Sequence, residues 1–255
     1  MAEGLAKGVL GKDLAYNQNE EDWKEILIIY HSCYEQETGE CSSMSYWSDE
    51  EKWIQFIMLQ SGHGLTPKNY EMVKKEYDRD HVMPVWDGEP AYEDMPTSWP
   101  VIETFHGTDI VRKRAYWSLF AGSFGHTYGH CTVWCSISEK EKNQINVHDW
   151  YEAIHSEGAK NIKILRDFLE TMKLERFTPC QNVLLVQEAN DDVLDEHRQA
   201  CIDAEDGIMC VYFPQTKEEN IDVSGLQASE LKMLWFNPRD GKSYRSNGDW
   251  IMISK

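Results

Sequence analysis

The stretch Val82-Met83-Pro84-Val85-Trp86 leads directly into Asp87-Gly88-Glu89-Pro90. Its first five residues are apolar, which predicts a buried strand, and Pro90 turns the chain immediately after Glu89. In a βα barrel, polar residues just past the strand ends converge on one face. A carboxylate delivered there is placed as a nucleophile or general base. The alternative is a solvated acid in a surface loop.

Short β-rich runs alternate with amphipathic helical segments on both sides of this stretch, up to about residue 172. This alternation is typical of parallel βα units. The pattern predicts strands at 8–11, 27–30, 53–59, 82–86 and 131–135, and helices at 19–24, 67–77, 108–122 and 149–172. The sequence therefore favours an α/β fold over residues 1–176.

A different pattern begins at Phe177. Apolar runs at 208–213 and 231–236 are short and strand-like, and the second run is followed by Asn237-Pro238-Arg239-Asp240-Gly241, which is typical of a tight hairpin turn. Residues 177–255 are therefore predicted to form a separate, small all-β sandwich domain.

The charge balance excludes two classes of partner. The 255 residues carry a formal charge of -19, from 44 acidic and 25 basic side chains, and this charge repels polyphosphates and anionic membrane surfaces. We expect neither nucleic acid nor membrane as a partner. The sequence as given predicts no export signal, and it has no apolar run of about 20 residues that could span a membrane. Seven cysteines without a CxxC pair are expected to be free thiols, and no cofactor is expected.

Further polar and aromatic side chains follow the predicted strands. His31 comes after Tyr30, His63 comes after Gln60, and His126, Tyr128 and His130 surround two glycines. These imidazoles could bind zinc, hydrogen-bond sugar hydroxyls or serve as structural groups; their spacing matches no known zinc ligand set. Ten Trp and twelve Tyr provide faces on which sugar rings stack, although aromatic residues also fill cores.

Several motifs together resemble one family. The motifs are Gln60-Ser61-Gly62-His63, Glu89-Pro90-Ala91-Tyr92-Glu93, Arg112-Lys113-Arg114-Ala115-Tyr116-Trp117, Gly125-His126-Thr127-Tyr128-Gly129, Trp134 and Trp235-Phe236-Asn237-Pro238-Arg239-Asp240-Gly241. Through these motifs the chain resembles, over about residues 30 to 255, the apiosidase-like family, which includes glycoside hydrolase family 140. The last motif resembles the family's C-terminal domain, which is named for collagen binding.

The resemblance implies a (β/α)8 barrel with catalytic carboxylates on its seventh and fourth strands. Glu89 matches the seventh-strand position. The nearest match to the family's fourth-strand Leu-Gly-Gly-Asp run is Leu10-Gly11-Lys12-Asp13, which departs at Lys12 and makes Asp13 the second candidate. Strands one to three would precede Leu10, so the chain is expected to hold only strands 4–8 of the barrel. A barrel without three strands exposes two sheet edges, which favour aggregation and would impair activity of this chain alone.

The family also implies a function. We expect a glycoside hydrolase that acts through a carboxylate pair on plant-polysaccharide side chains such as apiose-containing pectin, with an oligosaccharide or polysaccharide as substrate. The expected substrate-binding residues are His31, Gln60, His63, Tyr92, His126, Tyr128 and Trp134. Arg112 and Tyr116, four apart on one helix face, are expected to be structural. The competing hypotheses are a non-catalytic carbohydrate-binding remnant and a metal-dependent hydrolase built from the histidines.

Overall fold

The first layer of the structure is a parallel sheet. The computed structural model describes residues 1–18, 20–35, 37–62, 68–98, 104–136, 149–185, 197–215, 219–228 and 230–245. Three parallel strands pair in the order β1-β2-β3, and they are Ile57–Leu59 (β1), Val85–Asp87 (β2) and Gly125–His126 (β3). Ile57 is paired with Val85, and Trp86 with Gly125. The parallel βα arrangement predicted from the sequence is therefore present in this part of the chain.

Seven α-helices are described. They are Ala2–Leu10 (α1), Glu20–Trp23 (α2), Asn69–Tyr77 (α3), Thr108–Phe120 (α4), Cys131–Trp134 (α5), Trp150–Ala153 (α6) and Glu157–Glu170 (α7). Short 3-10 turns lie at Ser43–Ser45, Leu174–Arg176 and Gln181–Val183. Helices α3 and α4 each follow a strand of the sheet, as in βα units.

The two faces of the sheet differ because side chains alternate along a strand. On one face, Ile57, Leu59 and Val85 pack with Val73 of α3 and with Ala121, which follows α4. On the other face, Trp86 lies edge-on to Phe56, which also contacts Phe124. The helices therefore cover the aliphatic face, while the aromatic side chains lie together opposite it.

Antiparallel strands make up the C-terminal part. Thr178–Pro179 (β4), Gln199–Asp203 (β5) and Ile208–Tyr212 (β6) form one sheet, and Leu234–Phe236 (β7) pairs with Ser243–Arg245 (β8). The predicted turn at 237–241 joins β7 to β8, and Gly241 has a φ of 70°, which favours glycine. The hairpin is confirmed, whereas a β-sandwich stays a prediction.

Helix α4 joins the two parts of the molecule. Every residue from Val111 to Phe120 is buried. Tyr116 stacks on Tyr212 of β6 with ring centroids 4.4 Å apart, and Trp117 Nε1 donates to the His197 carbonyl at 3.0 Å. Arg112 donates to Asn161 Oδ1 of α7 at 2.5 Å. Arg112 and Tyr116 thus have structural contacts, and these contacts join α4 to α7 and to the C-terminal sheet.

Two predicted strands are helices instead. Residues 8–11 end α1, because the apolar residues Ala2, Ala6 and Leu10 recur at helical spacing and pack in one cluster. Gly11 closes the helix with a φ of 69° and donates its N–H to the Lys7 carbonyl. The strand predicted before Asp13 is therefore wrong. Residues 131–134 form α5, because the His130 side chain accepts a hydrogen bond from Thr132 N and caps the helix.

A third predicted strand is absent, and one predicted helix is divided in two. Residues 27–30 form no strand, and Leu27 is exposed while Gln55 Nε2 donates to the nearby carbonyls of Trp23 and Ile26. The helix predicted over 149–172 is divided into α6 and α7, since Ser156 begins a new helix by accepting from Ala159 N.

Candidate active site

The exits of the three parallel strands lie at one edge of the sheet. Gly88 N and Glu89 N both donate to the Leu59 carbonyl, at 3.0 and 3.1 Å, and Gly62 N donates to the Glu89 carbonyl at 2.9 Å. A Cβ on Gly62 would lie 2.2 Å from the Pro90 carbonyl oxygen, so only glycine allows this approach. The segment that carries Glu89 is therefore fastened to the exit of β1.

Glu89 is paired with His31. Its Oε2 lies 2.8 Å from His31 Nε2, and the two side chains are 20% and 55% exposed. His31 Nδ1 lies 2.9 Å from the Ser32 carbonyl oxygen, which can only accept, so Nδ1 carries a proton. Nε2 of a neutral ring is then bare, and the contact with Glu89 requires one further proton. The pair therefore holds this proton either as imidazolium and carboxylate or as neutral imidazole and carboxylic acid.

Gln60 supports the segment that bears His31. Its side-chain oxygen accepts from Tyr34 N, and its backbone N donates to the Cys41 carbonyl at 2.9 Å. Gln60 thus connects the exit of β1 to the loop after His31.

Asp87 lies buried directly beneath this edge. Its carboxylate accepts from Ser61 Oγ at 2.6 Å and from Asn69 Nδ2 at 2.9 Å, and it lies 3.5 Å from His126 Nδ1. His126 Nδ1 also lies 2.8 Å from Ser118 Oγ. His126 is therefore held inside the molecule by β2 and α4, with only 3% of its side chain exposed.

Glu93 is a second buried carboxylate four residues beyond Glu89, and it accepts four hydrogen bonds. Its Oε1 accepts from Thr108 Oγ1 at 2.7 Å and from Gly158 N at 3.0 Å, and its Oε2 accepts from Tyr128 Oη and Ser156 Oγ, each at 2.7 Å. We call these five residues the Glu93 cluster. Burial alone would raise the pKa of Glu93, but the four hydrogen bonds outweigh burial and lower that pKa below its usual value.

Two tyrosines lie in this region of the structure, Tyr128 at the Glu93 carboxylate and Tyr92 on Gly129. The Tyr128 hydroxyl is occupied by Glu93 and Ser156, and burial is the main cause that raises the pKa of Tyr128. Burial and then the negative charge of Glu89 raise the pKa of Tyr92. A Cβ on Gly129 would lie 2.3 Å from Tyr92 Cδ1, so the ring packs directly on that glycine. The Tyr92 ring therefore lies against Gly129, and its hydroxyl is close enough to Glu89 for the negative charge of Glu89 to affect its pKa.

The remaining candidates lie apart from this arrangement or outside the described residues. Trp134 ends α5 with 69% of its surface exposed, so it is not a core residue. Asp13 follows α1 rather than a strand, its side chain is 83% exposed, and it pairs with Lys7 Nζ at 2.5 Å. His63 lies outside the described residues.

Two buried carboxylates were missed as site candidates. Asp87 and Glu93 lie two residues before and four residues after Glu89, within the stretch that predicted the strand exit. Their position in that stretch is the signal that could have identified them. The partners Asn69, Thr108 and Ser156 lie far along the chain, and no local pattern connects them with the exit of β2.

Among the residues that the structure describes, no group of three or more His, Cys, Asp and Glu side chains could hold a metal ion. All seven cysteines are free thiols in the structure. No described helix is both long and apolar enough to cross a membrane.

Comparison with solved structures shows which class of protein this chain resembles. A glycoside hydrolase family 5 protein from Bacteroides vulgatus ATCC 8482 superposes with a TM-score of 0.72 at 26% identity, covering 80% of this chain and 48% of that protein. A second structure, described as a glycoside hydrolase, gives a TM-score of 0.73 at 26% identity with the same coverage. The chain thus resembles glycoside hydrolases and spans about half the length of the structures it matches.

Family models give the particular assignment. The model described as "Apiosidase-like, catalytic domain" matches residues 1–176, and the one described as "Putative collagen-binding domain of a collagenase" matches residues 178–253. The chain belongs to the apiosidase-like family, which confirms the resemblance seen in the motifs. No curated protein matches the chain.

Proposed function

We propose that this protein hydrolyses glycosidic bonds in plant-polysaccharide side chains, apiose-containing pectin first among them, and that Glu89 is one of its two catalytic carboxylates. The proposal depends on one observation above all: the Glu89 carboxylate follows the central parallel strand, is 20% exposed and is paired with His31. Exits of parallel strands are where the catalytic groups of βα enzymes lie.

The shared proton gives the Glu89–His31 pair a chemical role. As a nucleophile or general base, Glu89 must be a carboxylate, and the proton of the pair then resides on His31. The imidazolium keeps the carboxylate in place until the sugar arrives. Once Glu89 has attacked the anomeric carbon or taken a proton from water, His31 can remain hydrogen-bonded to its other oxygen.

Tyr92 and Trp134 are proposed to bind the sugar. The negative charge of Glu89 contributes to the raised pKa of Tyr92. The exposed Trp134 ring lies on α5, the helix that follows the exit of β3. Aromatic faces of this kind stack on the C–H edges of sugar rings. Three other predicted binding residues are proposed to support the sugar site indirectly, because their side-chain polar atoms already contact protein groups. These residues are Gln60, His126 and Tyr128.

A second candidate function is carbohydrate binding without turnover. The observation that favours it is the position of Asp13, which is exposed, bonded to Lys7 and no longer preceded by a strand. Asp13 therefore has no structural support as the partner carboxylate. A site with Glu89 but without a partner would bind sugar and leave the glycosidic bond intact.

The Glu89→Gln variant tests the proposal. It keeps the shape of the side chain and removes its charge, so we expect oligosaccharide binding to survive and turnover to fall by about three orders of magnitude or more. The measurement is apiose release from pectin-derived oligosaccharides, together with calorimetric binding. Glu40→Gln is the control, because the Glu40 carboxylate is paired with Lys75 of α3 and not with His31.

Each outcome separates the hypotheses. Turnover that survives in Glu89→Gln would make Glu89 a structural acid. Binding without hydrolysis by the unaltered chain would instead support the carbohydrate-binding candidate.

A further inference from the structure

The Glu93 cluster joins four separate segments of the chain. Glu93 belongs to the exit of β2, Thr108 begins α4, Tyr128 follows β3, and Ser156 and Gly158 begin α7. The backbone of Glu93 adds two more connections, since its N–H donates to the Gly129 carbonyl at 2.8 Å and its carbonyl accepts from Cys131 N at 2.9 Å. One buried side chain therefore holds the exits of β2 and β3 and two helix starts in a fixed arrangement.

Two glycines at the cluster allow neighbouring side chains to approach closely. A Cβ on Gly158 would lie 2.2 Å from Glu93 Oε2, and a Cβ on Gly129 would lie 2.3 Å from the ring of Tyr92. Any larger residue at either position would clash, so the absence of a Cβ on both glycines is what allows Glu93 and Tyr92 to pack there. The positive end of the α7 dipole also favours the carboxylate at this place.

We propose that Glu93 is a positioning residue for the glycosidase reaction: by fastening the exit of β2 to the exit of β3, it holds the Tyr92 ring on Gly129 and thereby beside Glu89. This inference rests on the proposed function for its effect on turnover. Its structural part, the packing on Gly129 of the Tyr92 ring, which lies three residues after Glu89, is independent of that function.

The first test measures this structural part. Tyr92 is replaced by 3,5-difluorotyrosine, whose phenol titrates near neutral pH and whose fluorine signal reports its charge. In the full chain, Glu89→Gln removes a nearby negative charge and should lower the apparent pKa of the labelled Tyr92 by at least about 0.5 pH unit. In the Glu93→Ala background the same Glu89→Gln change should produce no measurable shift, because the ring is no longer held beside residue 89.

The second test measures turnover on pectin-derived oligosaccharides. We expect Glu93→Ala to lower kcat about 100-fold with little change in KM, since a displacement of about 1 Å can have an effect of that size. Glu93→Gln should restore most of kcat. Its amide oxygen can still accept from Thr108 and Gly158, while the hydroxyls of Tyr128 and Ser156 can turn to accept from its nitrogen.

Two further variants keep the proposal falsifiable if Glu93→Ala folds poorly. Gly129→Ala displaces the Tyr92 ring while keeping the Glu93 carboxylate, and it should reproduce both effects of Glu93→Ala. Glu76→Ala is the matched control. It removes another buried carboxylate, which lies in the last turn of α3 and pairs with Arg79 beyond the end of that helix. It should lower stability but leave kcat and the Tyr92 shift unchanged.

The outcomes for the two proposals are distinct. If the unaltered protein binds pectin-derived oligosaccharides but hydrolyses none of them, the proposed function fails, while the fluorine titration still decides whether Glu93 positions Tyr92. If the Glu89→Gln shift survives in Glu93→Ala, Glu93 is only structural and the positioning proposal is overturned; where Glu93→Ala does not fold, survival of the shift in Gly129→Ala overturns it, because the ring is then not held by its packing on Gly129.

Discussion

Asp87 illustrates how single residues support the edge of the sheet. Its carboxylate is fully buried and accepts hydrogen bonds from Ser61 Oγ and Asn69 Nδ2. Its own N–H donates to Ser123 Oγ at 3.2 Å. A buried carboxylate is costly unless its oxygens are satisfied, and its two donors come from different segments, while Ser123 on a third segment accepts from the Asp87 backbone. Asp87 therefore ties the segments around the strand exits together.

Substitution of Asp87 should test this role. Asp87→Ala removes the acceptor of two buried donors and leaves a void, so we expect the free energy of unfolding to fall by about 3 kcal/mol. Asp87→Asn should cost about 1 kcal/mol, because its oxygen can accept from Asn69 while the Ser61 hydroxyl turns to accept from its nitrogen. Urea denaturation measures both values. Equal losses in the two variants would contradict the hydrogen-bonding account.

At this scale the sequence predicts the position of Glu89 but not its partner. The apolar run before Asp87 and the proline after Glu89 are local signals, and they are sufficient to place a carboxylate at a strand exit. The contact with His31 joins residues 58 positions apart, and no local pattern encodes it. Asp13 is a candidate only because the run that contains it resembles a short family motif. That assignment requires a strand before Asp13, and the structure has a helix there instead.

Helix α4 shows why elements are harder to place than residues. It is buried on all sides, since its neighbours are α3, α7 and the C-terminal sheet. Arg112, Lys113 and Arg114 would be expected at a surface, yet all three are buried. Long charged side chains can bury their stems along apolar surface, and Lys113 Nζ lies 5.1 Å from the centroid of the Trp117 ring.

Trp117 should be a sensitive position in α4. Trp117→Phe removes the hydrogen bond to the His197 carbonyl and part of the edge-on packing against Tyr70, so we expect a loss of about 2 kcal/mol in the free energy of unfolding. The control is Trp134→Phe, whose exposed ring should change stability by no more than about 0.5 kcal/mol. Similar losses from both substitutions, measured by thermal unfolding, would show that the contact with His197 adds nothing.

The elements predicted correctly and wrongly differ in their physical basis. Strands β1 and β2 and helix α4 follow apolar runs or helical spacing that burial reinforces. In contrast, Cys131-Thr132-Val133-Trp134 has strand-forming composition, but the His130 cap and the turn that follows select a helix. The Gly8-Val9-Leu10-Gly11 run likewise has strand-like composition, while its place at the end of a longer helical repeat decides the outcome.

On the scale of the whole molecule, the two parts share one buried interface. Tyr212 and His197 belong to the C-terminal part and pack on Tyr116, Trp117 and Tyr70. Phe236 also stacks on Phe168 of α7, with ring centroids 4.4 Å apart. The interface is aromatic, so the C-terminal sheet covers helices that would otherwise expose apolar surface.

Removal of the C-terminal part should therefore destabilise the rest. We expect residues 1–176 alone to have a Tm lower by at least about 5 °C and to bind a hydrophobic fluorescent dye, because Tyr116, Phe120 and Phe168 lose their cover. The full chain, prepared in parallel, is the control. An unchanged Tm without dye binding would show that the two parts are stable independently.

The reach of the Glu93 cluster has a consequence for the order of folding. The contact between Glu93 Oε1 and Gly158 N closes a loop of 65 residues, whereas β1, α3 and β2 form a compact unit of neighbouring segments. Long loops close at a higher entropic cost than short ones, and distant contacts form more slowly than local ones. Strands and helices should therefore form first in a refolding chain, and the geometry around Glu89 should be completed only when α7 arrives.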